Sequence, residues 1–109
     1  MIKGISIKKM LAKKRMAIAP RPMSFRQMER HLKGVANHRR IEILFLVAER
    51  NGITLDGLCQ ATGGNSKTLS EHTKKLAQAG LINKAYIGRG VAHSISPYGR
   101  RFLKFIQSF

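Results

Sequence analysis

The sequence has 109 residues, room for one compact domain and its own small core but not for two. Apolar residues make up 43 %, which excludes disorder along the whole chain. Lysine and arginine number 21 against 5 acidic residues, a formal charge of +16, so the partner to look for is a polyanion: nucleic acid or an anionic membrane surface.

Composition divides the chain near residue 23. Residues 1–22 carry Lys3, Lys8, Lys9, Lys13, Lys14, Arg15 and Arg21 and no acidic residue. Pro20 and Pro22 then bias their predecessors away from helix. Three readings of this arm stay open: a disordered basic tail that follows a nucleic-acid backbone, an extension of no consequence, or translation that starts at Met16 or Met23. The body, residues 23–109, is still basic on its own account.

Ser24 is placed to cap a helix over Phe25 to Leu32, with Phe25, Met28 and Leu32 at helical spacing and Gly34 as its end. Asn37 then caps HRRIEILFLVAER, where Ile41, Leu44, Phe45 and Ala48 form a stripe that Ile43, Leu46 and Val47 widen almost all round. That pattern predicts a central buried helix, closed by Asn51-Gly52. Thr54 caps a short helix, LDGLCQAT, and Gly63-Gly64 turns the chain. Asn65 caps the next helix, SKTLSEHTKKLAQA, which Gly80 ends. LINKAYI and VAHSIS are β-rich runs around the tip Gly88-Arg89-Gly90 and predict a hairpin. After Pro97, a last helix from Tyr98 to Ser108 presents Tyr98, Phe102, Phe105, Ile106 and Phe109 on one face.

Two short helices across a glycine turn, followed by a basic-tipped hairpin, form the pattern of a winged helix-turn-helix. The fold expected is mainly α with a small β-hairpin. On the helix over 66–79, Leu69, Thr73, Leu76 and Gly80 point inward and Lys67, Ser70, Glu71, Lys74 and Gln78 outward. An outer face that mixes short and long polar groups suits the reading of bases and phosphates in a major groove.

At this point the sequence resembles a known group. ANHRRIEILFLVAE followed by ITLDGLCQATGGNSKTLSEHTKKLAQAGLINK resembles the winged-helix repressors of the ArsR type, and VAHSISPYGRRFLKFI is similar to the closing strand and last helix of ArsR-like and MarR-like regulators. The likeness spans residues 25–107 and is most specific from Asn65 to Ile82. It implies DNA contacts by Ser66, Lys67, Ser70 and Glu71 on the recognition helix and by Arg89 at the wing tip, with Lys74 joining Lys67 as a phosphate clamp. Glu71 stands where the family often has a cationic or polar reader, and Thr73 replaces a usual Leu. Glu71 either accepts from a cytosine amino group or pairs with Lys74 or Lys75 on a solvated face. Arg89 between small neighbours suits a narrow minor groove, or is an ordinary hairpin tip. Arg39, Arg40, Arg100 and Arg101 either reach flanking phosphates or are solvated.

The resemblance also implies a two-fold dimer built from the first and last helices, with Phe25, Met28, Leu32, Phe102, Phe105, Ile106 and Phe109 at the interface. The recognition helices would then lie roughly 34 Å apart, one DNA turn. The competing arrangement has both stripes closing the monomer's own core. Metal-sensing relatives use paired cysteines on the Cys59 helix or His and carboxylate groups on the last helix; this chain offers one Cys and none of the others there, so no metal or other cofactor is expected. The scattered acidic residues and the absence of a phosphate loop or nucleophile elbow predict no enzyme.

The expected function is a sequence-specific DNA-binding transcriptional regulator, a repressor that occludes its operator as a homodimer. A basic winged-helix module for RNA or the ribosome is the main alternative, and a protein-interaction module is a third. A single cysteine and no apolar run near the roughly 18 residues of a membrane span point to the cytoplasm, at the nucleoid.

Overall fold

The computed structural model describes residues 23–109, so the readings made for the arm fall outside it. The element order is α1 (Phe25–Val35), α2 (His38–Glu49), β1 (Ile53–Thr54), α3 (Leu55–Thr62), α4 (Ser66–Gln78), β2 (Ile82–Ile87), β3 (Gly90–Ile95) and α5 (Pro97–Gln107). Mainly α with a small antiparallel sheet, this is a winged helix-turn-helix. No described helix is long and apolar enough to cross a membrane.

Local hydrogen bonds set the helix starts. Ser24 accepts from the Gln27 amide at 3.1 Å while the Gln27 side chain accepts from the Ser24 amide at 3.0 Å, a closed capping box. Asn37 accepts from the Arg39 and Arg40 amides, Thr54 from Gly57, Asn65 from Thr68 and Ser96 from Gly99. Each satisfies a donor that the first turn of a helix leaves without an intrahelical acceptor.

The core is gathered around α2. Ile43, Leu44 and Val47 are fully buried, with Leu58 of α3, Leu69 and Leu76 of α4, and Leu81 and Ile82 at the entry to β2. Ile41, Phe45, Leu46 and Ala48 pack around this centre, so the helix is central as expected, but its deepest residues are mainly those read as widening the stripe. From α5 it is Leu103, outside the predicted stripe, that enters the core.

The structure corrects two local readings. Gly34 does not end the first helix, which continues through Val35. Gly34 faces α4 at a helix crossing so close that a Cβ there would overlap the Ala79 Cβ. It is a contact glycine, not a stop. The hairpin, in turn, is part of a three-stranded sheet of order β1-β3-β2. Ile53 pairs with His93 and Thr54 with Ala92, a pairing of two residues too short to leave a pattern in the sequence.

Replacing Gly34 with Ala should therefore force α1 and α4 apart and cost about 1–3 kcal/mol, as overpacking does. Denaturant midpoints measure this, and Gly34→Ala combined with Ala79→Gly is expected to recover much of the loss.

Candidate nucleic-acid interface

The turn between α3 and α4 is built on glycine. Gly63 is left-handed, at φ 76°, and its amide returns to the Cys59 carbonyl at 2.8 Å, which closes α3. A Cβ on Gly64 would stand 3.3 Å from the Leu69 side chain, so the chain turns tightly against the helix it is about to enter. The inner face of α4 is then fixed by Leu69, Thr73 and Leu76, all buried. Thr73 tolerates a position suited to Leu because its hydroxyl donates to the Ser70 carbonyl at 3.0 Å.

With that face committed to the core, Ser66, Lys67, Ser70, Glu71, Lys74 and Gln78 remain outside it. Ser66, Lys67, Ser70, Glu71 and Lys74 are exposed. Ser66 and Lys67 occupy the first turn, where free amides and the helix dipole favour an anion. Glu71 belongs to none of the ion pairs among the described residues, which are Lys33–Glu29, Arg39–Glu42 and Arg50–Glu49.

The wing is a tight hairpin. Ile87 pairs with Gly90 across the two-residue loop Gly88-Arg89, in which Gly88 alone has a positive φ, of 59°. That combination marks a type II′ turn, with Gly required at its first central position. Gly90 belongs to the strand, so the tip is Gly88-Arg89, with Arg89 exposed. Tyr86 and Ile87, 78 % and 69 % exposed, stand beside it. The sequence pattern does not single them out, because β-rich alternation looks the same whether a strand faces a core or a partner. Lys84 is equally silent in sequence; burial, followed by the nearby Lys74, holds its ammonium below the usual lysine range. The coupling places the α4 face and the wing strand in one positive field.

Arg39 and Arg40 are both engaged within the protein. Arg39 donates to Glu42 at 2.8 Å and to the Thr62 carbonyl at 3.3 Å, tying α2 to the end of α3. Arg40 donates through Nε to His72 Nδ1 at 3.2 Å and through a terminal nitrogen to the Gly34 carbonyl at 3.3 Å. Burial, then Arg40 and Arg39, keep His72 below its ordinary value, in the neutral form that can accept. Arg100 and Arg101 are exposed on α5, with Arg101 lying 5.7 Å from the centre of the Tyr98 ring.

On another face, α1 and α5 bring their apolar stripes side by side. Phe25, Leu32, Phe105 and Phe109 are exposed, Met28 and Tyr98 slightly over a third so, and Phe102 and Ile106 half-buried. An apolar groove of about 300 Å³ runs between the helices, lined by Met28, Leu32, Phe102 and Phe105 among others. Beside them His31, buried and unremarkable in sequence, donates through Nδ1 to the Ala79 carbonyl and stacks near Tyr98 with ring centres 4.7 Å apart. Phe102 packs partly against the monomer's own core, while Phe25, Leu32, Phe105 and Phe109 are left at the surface. Cys59 is half-buried against the core, and the described residues contain no group of three metal-ligating side chains.

Residues 37–84 match the family described as "Bacterial regulatory protein, arsR family". Over that stretch, which runs from the cap of α2 into β2, the chain is similar to the ArsR family. Among solved structures it is similar to HlyU from Vibrio cholerae, with a TM-score of 0.70 and 22 % identity over 79 % of this chain and 96 % of that one. It is also similar to the Mycobacterium bovis fragment Mb0332, described as a homodimeric winged helix-turn-helix DNA-binding domain and a possible ArsR-family transcriptional regulator. That solution structure has a TM-score of 0.69 and 25 % identity over 98 % of this chain and 88 % of that one. A crystal structure of a Mycobacterium bovis fragment described as a possible transcriptional regulatory protein reaches 28 % identity, at TM-score 0.69, over 75 % of this chain and 88 % of that one. Among curated proteins none matches at a significant level. The match to a family of regulatory proteins supports the expectation of a non-enzymatic role.

The base of the wing carries a pH dependence. His93, buried in β3, donates through Nδ1 to the Ile53 carbonyl at 2.8 Å. Burial lowers its pKa from the usual 6.5, the Ile53 bond opposes this, and Lys84 on the paired strand lowers it further. A lowered value in the folded state means that stability is full above pH 6.5 and falls as acid protonates the unfolded chain preferentially. His72 acts in the same direction. Unfolding midpoints should drop between about pH 7.5 and 5.5, and His93→Gln should flatten that dependence.

Proposed function

We propose that this ArsR-family chain is a sequence-specific DNA-binding transcriptional regulator that acts as a homodimer and represses by occluding its operator. The observation that carries the reading is the outer face of α4: polar and open to solvent, with Glu71 outside any ion pair between serines and lysines, and held out by a fully buried inner face. Ser66, Ser70 and Glu71 read base edges in the major groove, Lys67 and Lys74 clamp phosphates, and Arg89 enters the adjacent minor groove. Exposed Phe25, Met28, Leu32, Phe105 and Phe109, with Phe102 and Ile106 behind them, supply the dimer seam that buries the apolar patch. The Mycobacterium bovis relative described as homodimeric supports this pairing. The protein works in the cytoplasm, on the nucleoid. Its charge alone would serve RNA equally well, but the mixed polar face of α4 and the family favour duplex DNA.

Two measurements test this. Selection of genomic duplex fragments against bulk competitor DNA should recover a few two-fold-symmetric sites. On such a site, Lys67→Ala should weaken all duplexes alike and lower the salt slope by about 1 for each phosphate no longer neutralised, whereas Glu71→Ala should change the ranking of sequences. Binding that ranks no duplex above another, or that prefers structured RNA, contradicts the proposal.

Phe105→Glu probes the seam. Light scattering should show a monomer, and operator affinity should fall by about 10²- to 10⁴-fold because bivalent binding is abolished. A variant that stays dimeric would place the seam elsewhere.

A further inference from the structure

A second feature lies beside the recognition helix and is not visible in the sequence. Arg30 and Lys33 of α1, Arg40 of α2 and Lys75 of α4, from positions 30 to 75 of the chain, line one open cavity of about 380 Å³. Gly34, Gln78 and Ala79 complete its lining, and no carboxylate is among them. Glu29 pairs with Lys33 at 3.1 Å, but with both side chains mostly exposed to solvent. Such a pair contributes little neutralisation.

The cavity is a built feature of the fold. Beside it lies the close crossing of Gly34 against Ala79, which leaves a recess between the two helices. Arg40 is oriented there by the Gly34 carbonyl and by His72, the latter kept neutral by burial and the adjacent guanidinium groups. Four cations converging on a lining without a carboxylate repel one another, and an anion in their midst relieves that repulsion.

We infer that this cavity is a phosphate clamp for the DNA backbone, a contact distinct from the α4 reading face and from the wing. It rests on the DNA-binding reading above and deepens it. Continuity selects duplex phosphate over a free polyanion: Gln78 lines the cavity and also belongs to the outer face of α4, so the two surfaces share an edge. When α4 lies in a major groove, the strand that borders the groove on the α1 side passes over Arg30, Lys33 and Lys75. Arg40 positions the recess, and the other three cations supply the mobile charge.

The test uses the full chain and the double variant Arg30→Gln/Lys75→Gln; both residues are exposed, and Arg40 is left in place. A control of equal charge change, Arg50→Gln/Lys104→Gln, alters two exposed cations outside the cavity. Thermal unfolding first confirms that all three proteins fold. Affinity is then measured against salt on the selected duplex and on a random duplex of equal length. The cavity variant should lower the slope of log K against log[salt] by roughly 3 to 4 for a dimer, at about 0.9 per phosphate, and keep the ranking of sequences. The control should shift it by less than about 1.

Equal slopes for the full chain and the cavity variant overturn the inference and leave the sequence-reading proposal standing. An equal shift in the control also overturns it, since bulk charge would then suffice. A chain that ranks no duplex above another fails as a sequence reader, while the clamp is still read from the slopes on random DNA. Saturable binding of tripolyphosphate that the cavity variant abolishes, with DNA slopes unchanged, assigns the cavity to a free polyanion and overturns the DNA reading.

Discussion

A helix can offer one face to a partner only if the opposite face is held without slack, and the rest of this fold follows from how α4 meets that demand. Leu69, Thr73 and Leu76 are at most 1 % exposed, in a core shared with Ile43, Leu44 and Val47 of α2 and Leu58 of α3. Dense packing on that side fixes the rotation of the helix about its own axis, because a turned α4 would expose leucines and bury lysines. Thr73 shows how strict the constraint is. Its hydroxyl enters the core only because the Ser70 carbonyl one turn back accepts its proton.

Three supports then fix the position of α4 along its axis. Its start is held by the Gly63-Gly64 turn and the Asn65 cap. Its end is held by α1, through the Gly34–Ala79 crossing and the bond from His31 to the Ala79 carbonyl, and by Ser96, whose hydroxyl donates to the Gly80 carbonyl at 2.6 Å. Ser96 is also the N-cap of α5, so a single side chain joins the end of α4 to the start of α5. His31 does the same from the other side, since its ring lies near Tyr98 on α5. The exposed face of α4 and the apolar patch of α1 and α5 thereby share their anchoring groups.

Charge is divided between internal and external work. Net positive charge attracts any polyanion, yet the arginines of α2 are partly engaged inside the protein: Arg39 ties α2 to α3 and Arg40 ties it to α1 and α4. The cations left for phosphates are those on the edges of α4, on α1 and on the wing. In the proposed reading, discrimination among sequences falls to Ser66, Ser70 and Glu71, whose short or acidic side chains bind bases only at close range.

Most element boundaries are legible in the sequence because they are made by contacts three or four residues apart. Caps at Ser24, Asn37, Thr54 and Asn65, the glycine turns after α2, α3 and α4 and at the wing tip, and the inward and outward faces of α4 all follow from such local chemistry. The family pattern in residues 37–84 is legible for the same reason. What only the tertiary structure decided are meetings between distant segments. These include β1 pairing with β3, Gly34 as a contact residue instead of a stop, Leu103 as the α5 residue in the core, and the convergence of Arg30, Lys33, Arg40 and Lys75. Periodicity reports which side of a helix is apolar; it says nothing of the angle at which two helices cross or of how closely they approach. That angle and that distance determined the groove, the cavity of four cations and the freedom of each arginine.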